Sequence, residues 1–247
     1  MKGYAGTVLR VDLTSGSSRE EKLTQDLAHD FIGGKGLGAR ILYSEVPPRM
    51  SALSPKNILI FATGPLTGTL APSSGRATVI TKSPLTGIFL DSGFGGHMFG
   101  PSLKYAGYDL LVLKGASEKP VYLLIEDENV ELCDASELWG LDTSRTYDEI
   151  RRKHGDVSVA CIGPAGERLV KLANIISERH RAAGRGGAGA VMGSKKLKAV
   201  AVRGTGGVEV YDPAAFRETA MECHRKLWQH SVVGIRRERF EGSQSKY

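Results

Sequence analysis

The sequence predicts an α+β fold built on an internal echo, and three observations point there. Short strand-like runs alternate with short helical ones along most of the 247 residues. A strand, a Gly-Pro turn, an apolar linker and a Gly-Arg loop occur at Ile58, Gly64-Pro65 and Gly75-Arg76. They recur at Val157, Gly163-Pro164 and Gly184-Arg185, with a different spacing between turn and loop. The 31 glycines, well above the usual ~7%, cluster between these segments and follow no strict period.

Taken in order, Val8, Arg10 and Asp12 alternate with Leu9, Val11 and Leu13, and Thr14 to Ser17 supply a turn, so the chain opens with a β-hairpin. Leu27, Phe31 and Ile32 give a short helix from Thr24, and Leu37, Ile41 and Leu42 give a second. Between them runs GGKGLG, Gly33 to Gly38. It follows a helix rather than a strand, and Gly36 rather than Ser or Thr follows Lys35, so neither a dinucleotide fingerprint nor a P-loop fits. A helix–helix corner, or close backbone approach to another ligand, does.

Strands are expected at 58–62 and 77–81, and a PLTG turn at Pro65 to Gly68 repeats at Pro84 to Gly87. Leu90 to Gly100 reads as a glycine-rich loop leading into a helix that ends near Gly107; glycines ahead of a helix N-terminus leave N–H groups free for an anion. His97, in that loop, is the one histidine that stands out as a site candidate. Further strands are expected at 110–114, 121–125, 130–134 and 157–162, with a helix from Thr143 as cap to Lys153, stopped at Gly155. A strand pair at 197–202 and 208–210 follows. Asp212-Pro213 then starts a helix with Phe216, Ala220, Cys223 and Leu227 on one face, and beyond Gln229 the pattern dissolves into what reads as a disordered tail.

The most unusual stretch is Arg179 to Arg203. Arg179, Arg181, Arg185, Lys195, Lys196, Lys198 and Arg203 sit among glycines and alanines with no acidic residue between them. Glycines let a backbone approach a ligand and guanidinium groups fork onto phosphate oxygens, so the stretch reads as a polyanion cradle; the other reading is a flexible basic loop. A pair of Gly-Arg loops would suit a ligand with two similar anionic ends.

Composition narrows the classes. The net charge of +6 is a local excess, 33 basic against 27 acidic residues, and with aromatics at 7% and no recognisable module a nucleic-acid partner is not expected. No apolar run is long enough to span a membrane, and the N-terminus does not read as a signal peptide. Cys133, Cys161 and Cys223 form no CxxC, so they read as reduced, buried thiols of a cytoplasmic protein. No GxSxG elbow or nucleophile–base motif is visible, and binding chemistry stands out more than a reacting group.

Five ordered motifs carry a resemblance: GPLTGTLAPSSGR at Gly64 to Arg76, TKSPLTG at Thr81 to Gly87, LKYAGYD at Leu103 to Asp109, IGPAGE at Ile162 to Glu167, and HRAAGRGGAGAVMGSKKLKAVAV at His180 to Val202. Together they resemble the N-terminal domain of the aldehyde ferredoxin oxidoreductase family, tungsten- and occasionally molybdenum-dependent pyranopterin enzymes. The resemblance implies two pseudo-twofold-related β-sheets with short flanking helices, forming a base for two pyranopterins that jointly chelate tungsten (or molybdenum) and are bridged through phosphates and Mg²⁺. Carried onto matching positions, it assigns cofactor binding to Arg76, Gly93, Gly95, Arg181, Ala182, Gly184 and Arg185, with main-chain contacts to Mg²⁺ from Gly93 and Ala182. It assigns no catalytic residue. At Gly93 the family often has asparagine.

The resemblance covers residues 1–210, leaving 211–247 as the first helix of a second domain and its tail. Family enzymes carry the 4Fe–4S cluster cysteines, the second cradle wall and the acid–base groups on further domains. The expectation is therefore a cofactor-binding part that is inactive alone, with missing C-terminal domains or a complementary subunit as partner, ferredoxin as acceptor of the complete enzyme, and a homo- or hetero-oligomeric state. A non-catalytic pterin- or phosphate-binding module, or an inactive truncated paralogue, is the alternative.

Overall fold

The opening hairpin forms where the alternation places it. β1 (Thr7–Asp12) and β2 (Ser17–Lys22) pair antiparallel from Thr7 opposite Lys22 to Asp12 opposite Ser17. Asp12 Oδ1 accepts from the N–H of Thr14 at 2.9 Å, and Gly16, at a φ of 72°, takes the left-handed turn position. The computed structural model describes residues 1–95 and 98–230; His97 and the expected tail from 231 lie outside them.

Two helices follow. α1 (Gln25–Phe31) is capped by Thr24, whose Oγ1 accepts from Leu27 N–H at 3.3 Å, and α2 (Gly34–Glu45) begins at once. The glycine run between them is a helix–helix corner: a Cβ on Gly36 would lie 2.2 Å from the carbonyl oxygen of Phe31. The first half continues with β3 (Leu59–Ala62), β4 (Ala77–Lys82), β5 (Phe89–Phe94), α3 (Phe99–Tyr105) and β6 (Leu110–Lys114). The second half runs β7 (Val121–Glu126), β8 (Asn129–Asp134), α4 (Thr143–His154), β9 (Ser158–Cys161), α5 (Pro164–Glu167), β10 (Ile175–Ser177), β11 (Arg181–Ala183), α6 (Ala188–Ser194) and β12 (Leu197–Arg203), and α7 (Pro213–Gln229) follows.

The halves have one topology. The first six strands form a sheet in the order β2-β1-β6-β3-β4-β5, and the next six, listed from the corresponding edge, form β8-β7-β12-β9-β10-β11. In each sheet the second and third strands are parallel, β1 with β6 and β7 with β12, and all other neighbours are antiparallel. The chain is thus an α+β fold of two six-stranded sheets with helices.

Strands buried on both faces make a layered body. Leu9, Leu59, Phe61, Leu111 and Leu113 of the first sheet meet Leu123, Ile125, Ala160 and Val200 of the second in a shared core, into which α3 sends Phe99 and Leu103 and α6 sends Val191 and Met192. On the outer face of the first sheet, Ile60, Ile80 and Val112 pack with Leu37 and Leu42 of α2. On that of the second, Tyr122, Leu124 and Val159 pack with Ile150 of α4. Each such large apolar side chain contributes about 1.5–3 kcal/mol on full burial.

Several elements differ from expectation. Leu90 to Phe94 is strand, not loop: Leu90, Ser92 and Phe94 face inward, and the alternation outweighs the glycine. Asp142, not Thr143, caps α4, because its extended backbone lets the carboxylate accept from Arg145 N–H at 2.8 Å. Residues 208–210 form no strand; Glu209 O instead accepts from Gly3 N–H at 2.6 Å. Cys133 and Cys161 are buried, but Cys223 is exposed on α7, where Ala220 is the one buried residue of the expected apolar face.

Candidate cofactor-binding site

Where each sheet ends, β5 and β11 lie side by side. Arg185 N–H, in the loop leaving β11, donates to Ser92 Oγ of β5 at 3.2 Å, and Ser83 Oγ donates to Gly186 O at 2.7 Å. The register makes the two edges equivalent. Phe94 opposite Ala77 corresponds to Ala183 opposite Ile175, so Gly93 opposite Thr78 corresponds to Ala182 opposite Ile176, and Gly95 corresponds to Gly184. Phe94 and Ala183 turn into the core, and by strand alternation Gly93 and Ala182 turn outward and are exposed.

Nothing in the fold demands glycine at two of these positions. A Cβ at Gly93 would meet nothing nearer than Ala77 O at 3.7 Å, and one at Gly184 nothing nearer than the Ala182 Cβ at 3.7 Å; neither has a left-handed backbone. What glycine leaves there is open main chain. By contrast, Gly187 has a φ of 81° and its Cβ would stand 2.1 Å from Lys171 O, so that glycine serves the fold.

Arg76 joins the first edge. Its stem lies over Gly95, where a Cβ would be 2.4 Å from Arg76 Cγ, and it lines a cleft of about 550 Å³ together with Gly34, Lys35, Gly64, Asp91 and Gly93. Thr67 Oγ1 accepts from Gly64 N–H at 3.0 Å and donates to Arg76 O at 3.2 Å, coupling the Gly-Pro turn to the arginine. α3 clamps that turn from below: Lys104 Nζ donates to Gly64 O at 3.1 Å and Tyr105 Oη to Gly68 O at 2.6 Å. Lys104 is buried against Asp109 at 2.5 Å; burial lowers its pKa and the carboxylate opposes that shift. In the cleft wall Asp91 accepts from Thr78 Oγ1 and stands 3.5 Å from Lys35 Nζ. Lys35, Thr67, Asp91 and Lys104 escape a sequence reading because the partners that give them roles are tertiary.

The basic stretch does not form one cradle. Arg179 pairs with Asp148 and Arg203 with Glu126, while Lys196 donates to Glu118 O. Lys195 is fully buried, donating to Asn57 O at 2.5 Å, Gly115 O at 3.0 Å and Pro55 O at 3.3 Å, and burial lowers its pKa to about 7. Lys198 is buried on Glu167 and donates to Leu141 O at 2.8 Å. Among the described residues, the guanidinium groups of Arg76, Arg181 and Arg185, on or beside the two sheet edges, have no carboxylate partner.

The sequence echo is also half displaced. Gly64-Pro65 after β3 does match Gly163-Pro164 after β9, but Gly75-Arg76 precedes β4 whereas Gly184-Arg185 follows β11. The three-residue strands β10 and β11 intervene, too short for periodicity to reveal. No group of three His, Cys, Asp or Glu side chains among the described residues could hold a metal, and no helix there is long and apolar enough to cross a membrane.

Comparison with known proteins meets this geometry. The sequence matches the family described as aldehyde ferredoxin oxidoreductase, N-terminal domain, over residues 8–204. It is 50% identical, over 95% of its length, to a tungsten-containing aldehyde ferredoxin oxidoreductase of Pyrococcus abyssi. It is 36% identical, over 92%, to the WOR-like subunit of an aliphatic sulfonate oxidoreductase of Pyrococcus furiosus. It spans 39% of the length of each. Among solved structures it superposes, with a TM-score of 0.89 and 41% identity, on the BamBC active-site complex of benzoyl-coenzyme A reductase, covering 92% of this chain and 35% of that one. A family match across both sheets, together with half the residues shared with a tungsten-containing relative, places the chain in the aldehyde ferredoxin oxidoreductase family, to which it belongs by its N-terminal domain.

Proposed function

We propose that this chain is the cofactor-binding base of a tungsten oxidoreductase, on which a bis-pyranopterin lies across the seam of β5 and β11. The observation that carries the reading is the equivalence of Gly93 with Ala182 and of Gly95 with Gly184: two matched edge stretches, open at Gly93 and Gly184 and overlain by the Arg76 stem at Gly95, lie side by side and suit a ligand with two similar ends. The residues fit such a group. Arg76 would hold phosphate or pterin oxygens at the first end, Arg181 and Arg185 those at the second, and main-chain atoms of Gly93, Gly95, Ala182 and Gly184 would complete the contacts. Main-chain oxygens of Gly93 and Ala182 would hold a Mg²⁺ ion.

Tungsten held here would supply two-electron redox chemistry. The protein's part here is to hold and orient. The complete enzyme would act on an aldehyde or related carbonyl compound, with ferredoxin as electron acceptor and a 4Fe–4S cluster, held by the further domains, supplying one-electron chemistry. The cluster ligands, the acid–base groups and the second wall are assigned to further domains or to a complementary subunit, in the reducing cytoplasm where the thiols stay reduced. Residues 1–210 are the base. α7, with Met221, Leu227 and Trp228 exposed, begins the next domain, and those side chains together with Leu66, Leu70 and Leu172 favour association with a covering part.

The test is the tungsten, molybdenum and pterin content per mole of chain, purified without oxygen from cells supplied with tungstate, alone and with a covering part co-produced. Metal and pterin together support the reading. Pterin without metal would make the chain a pterin-binding module instead, and neither in both preparations would remove the assignment.

A further inference from the structure

Topological identity of the sheets gives Arg76 a counterpart. Arg76 directly precedes Ala77, which pairs with Phe94; Asn174 directly precedes Ile175, which pairs with Ala183. The side chains keep the correspondence, because Arg76 lies over Gly95 and the Asn174 side-chain amide lies 3.8 Å from where a Cβ on Gly184 would stand. We infer that Asn174 is a ligand-binding residue, contacting the second end of the bound phosphorylated pterin through its carboxamide as Arg76 contacts the first; this rests on the function proposed above.

The surroundings hold the amide ready. Gly189 packs on the backbone here, its N–H donating to Ala173 O at 2.9 Å, and a Cβ on Gly189 would stand 2.5 Å from Asn174 O, so residues 173–174 are fixed against α6. Asn174 is half-buried, and its side chain makes no hydrogen bond among the described residues. Asn57 shows the contrast: fully buried, it donates to Ala52 O, Thr81 Oγ1 and Lys82 O. A carboxamide on a rigid base that the fold does not use has one donor group and one acceptor to offer a ligand.

The consequence is a site of matched shape and unmatched charge. At the first end the position over the glycine is a guanidinium, suited to phosphate. At the second it is neutral, and charge comes from Arg181 and Arg185 instead. A carboxamide pairs well with the amide-like edge of a pterin ring, so the second end is held more through the ring and the first more through phosphate.

Neopterin monophosphate, a soluble phosphorylated pterin, is the ligand for the test. The side-chain NH₂ resonances of Asn174, assigned by their loss in Asn174→Ala, are followed by NMR during titration, with the backbone amides of Gly95 and Gly184. The inference expects all three to shift, Asn174→Ala to weaken binding about two- to tenfold, the loss of one hydrogen bond, with an unchanged melting temperature, and Asn174→Gln to recover part of it. Shifts at Gly95 and Gly184 with Asn174 unmoved, and Asn174→Ala binding as the parent does, would overturn the inference and leave the site standing. No shift at any of the three would overturn the site and the inference with it.

Discussion

Gly93 and Ala182 hold one position in two copies of the same sheet, Gly93 opposite Thr78 on β4 and Ala182 opposite Ile176 on β10. Because the Cβ of a larger residue at Gly93 would meet nothing within 3.7 Å and the backbone is not left-handed, Gly93→Leu should fold with a stability change within about 0.5 kcal/mol. The same holds for the exposed Ala182→Leu. Both should lower pterin content at least several-fold, since the added side chain fills the approach to the main chain. Normal pterin in both variants would show that the ligand does not lie on these strands.

Arg76→Ala combined with Arg185→Ala should strip bound pterin while leaving the urea midpoint close to the parent's. Neither guanidinium has a carboxylate partner among the described residues, so neither change orphans a buried charge. A large loss of stability with retained pterin would reverse the assignment of these arginines from binding to packing.

How much of this could be seen in the sequence depends on the length and surroundings of each segment. The hairpin at Thr7–Lys22, the helices and most strands follow their periodicity, and both Gly-Pro turns fall after equivalent strands. β5 was hidden by Gly93 and Gly95, although Leu90, Ser92 and Phe94 do alternate, and β10 and β11 are too short to show a period. Arg76, Arg181 and Arg185 stand out by composition because they need no internal partner. Lys195 and Lys198 look the same in the sequence but are core residues, and only three distant carbonyl oxygens for the one, and Glu167 with Leu141 O for the other, make the difference. Asn174 gives no signal until the strand register makes it the counterpart of Arg76 in the second sheet.

The buried Lys104–Asp109 pair should behave as a unit. Each side chain is 1% exposed, and Asp109 also accepts from the N–H groups of Ala5 at 3.2 Å and Gly6 at 2.7 Å. Lys104→Met leaves a buried carboxylate without its cation and should cost about 3–5 kcal/mol. Lys104→Met with Asp109→Asn should cost clearly less than the sum of the single changes in urea unfolding. Strict additivity would mean that the two charges do not depend on each other.

Lys195 predicts how stability changes with pH. Burial lowers its folded pKa to about 7 from an ordinary 10.5. Below pH 7 the lysine is protonated in both folded and unfolded chains and contributes no slope. Between about 7 and 10.5 the unfolded chain holds a proton that the folded one has released, so raising the pH across this window favours the folded state. Cys161 opposes this at the upper end: burial pushes its thiol up to about 12, so above the ordinary value of 9.0 the unfolded chain loses a proton that the folded one keeps. The difference between parent and Lys195→Met isolates the lysine. Urea midpoints should rise from pH 7 to 9 in the parent more than in Lys195→Met, and the variant should be the less stable at pH 9, where the carbonyl oxygens of Asn57, Gly115 and Pro55 lose the two N–H donors that the neutral amine still offers them. Parallel pH profiles would mean that the ring of carbonyl oxygens holds the ammonium charged through this range, and that burial does not control its proton.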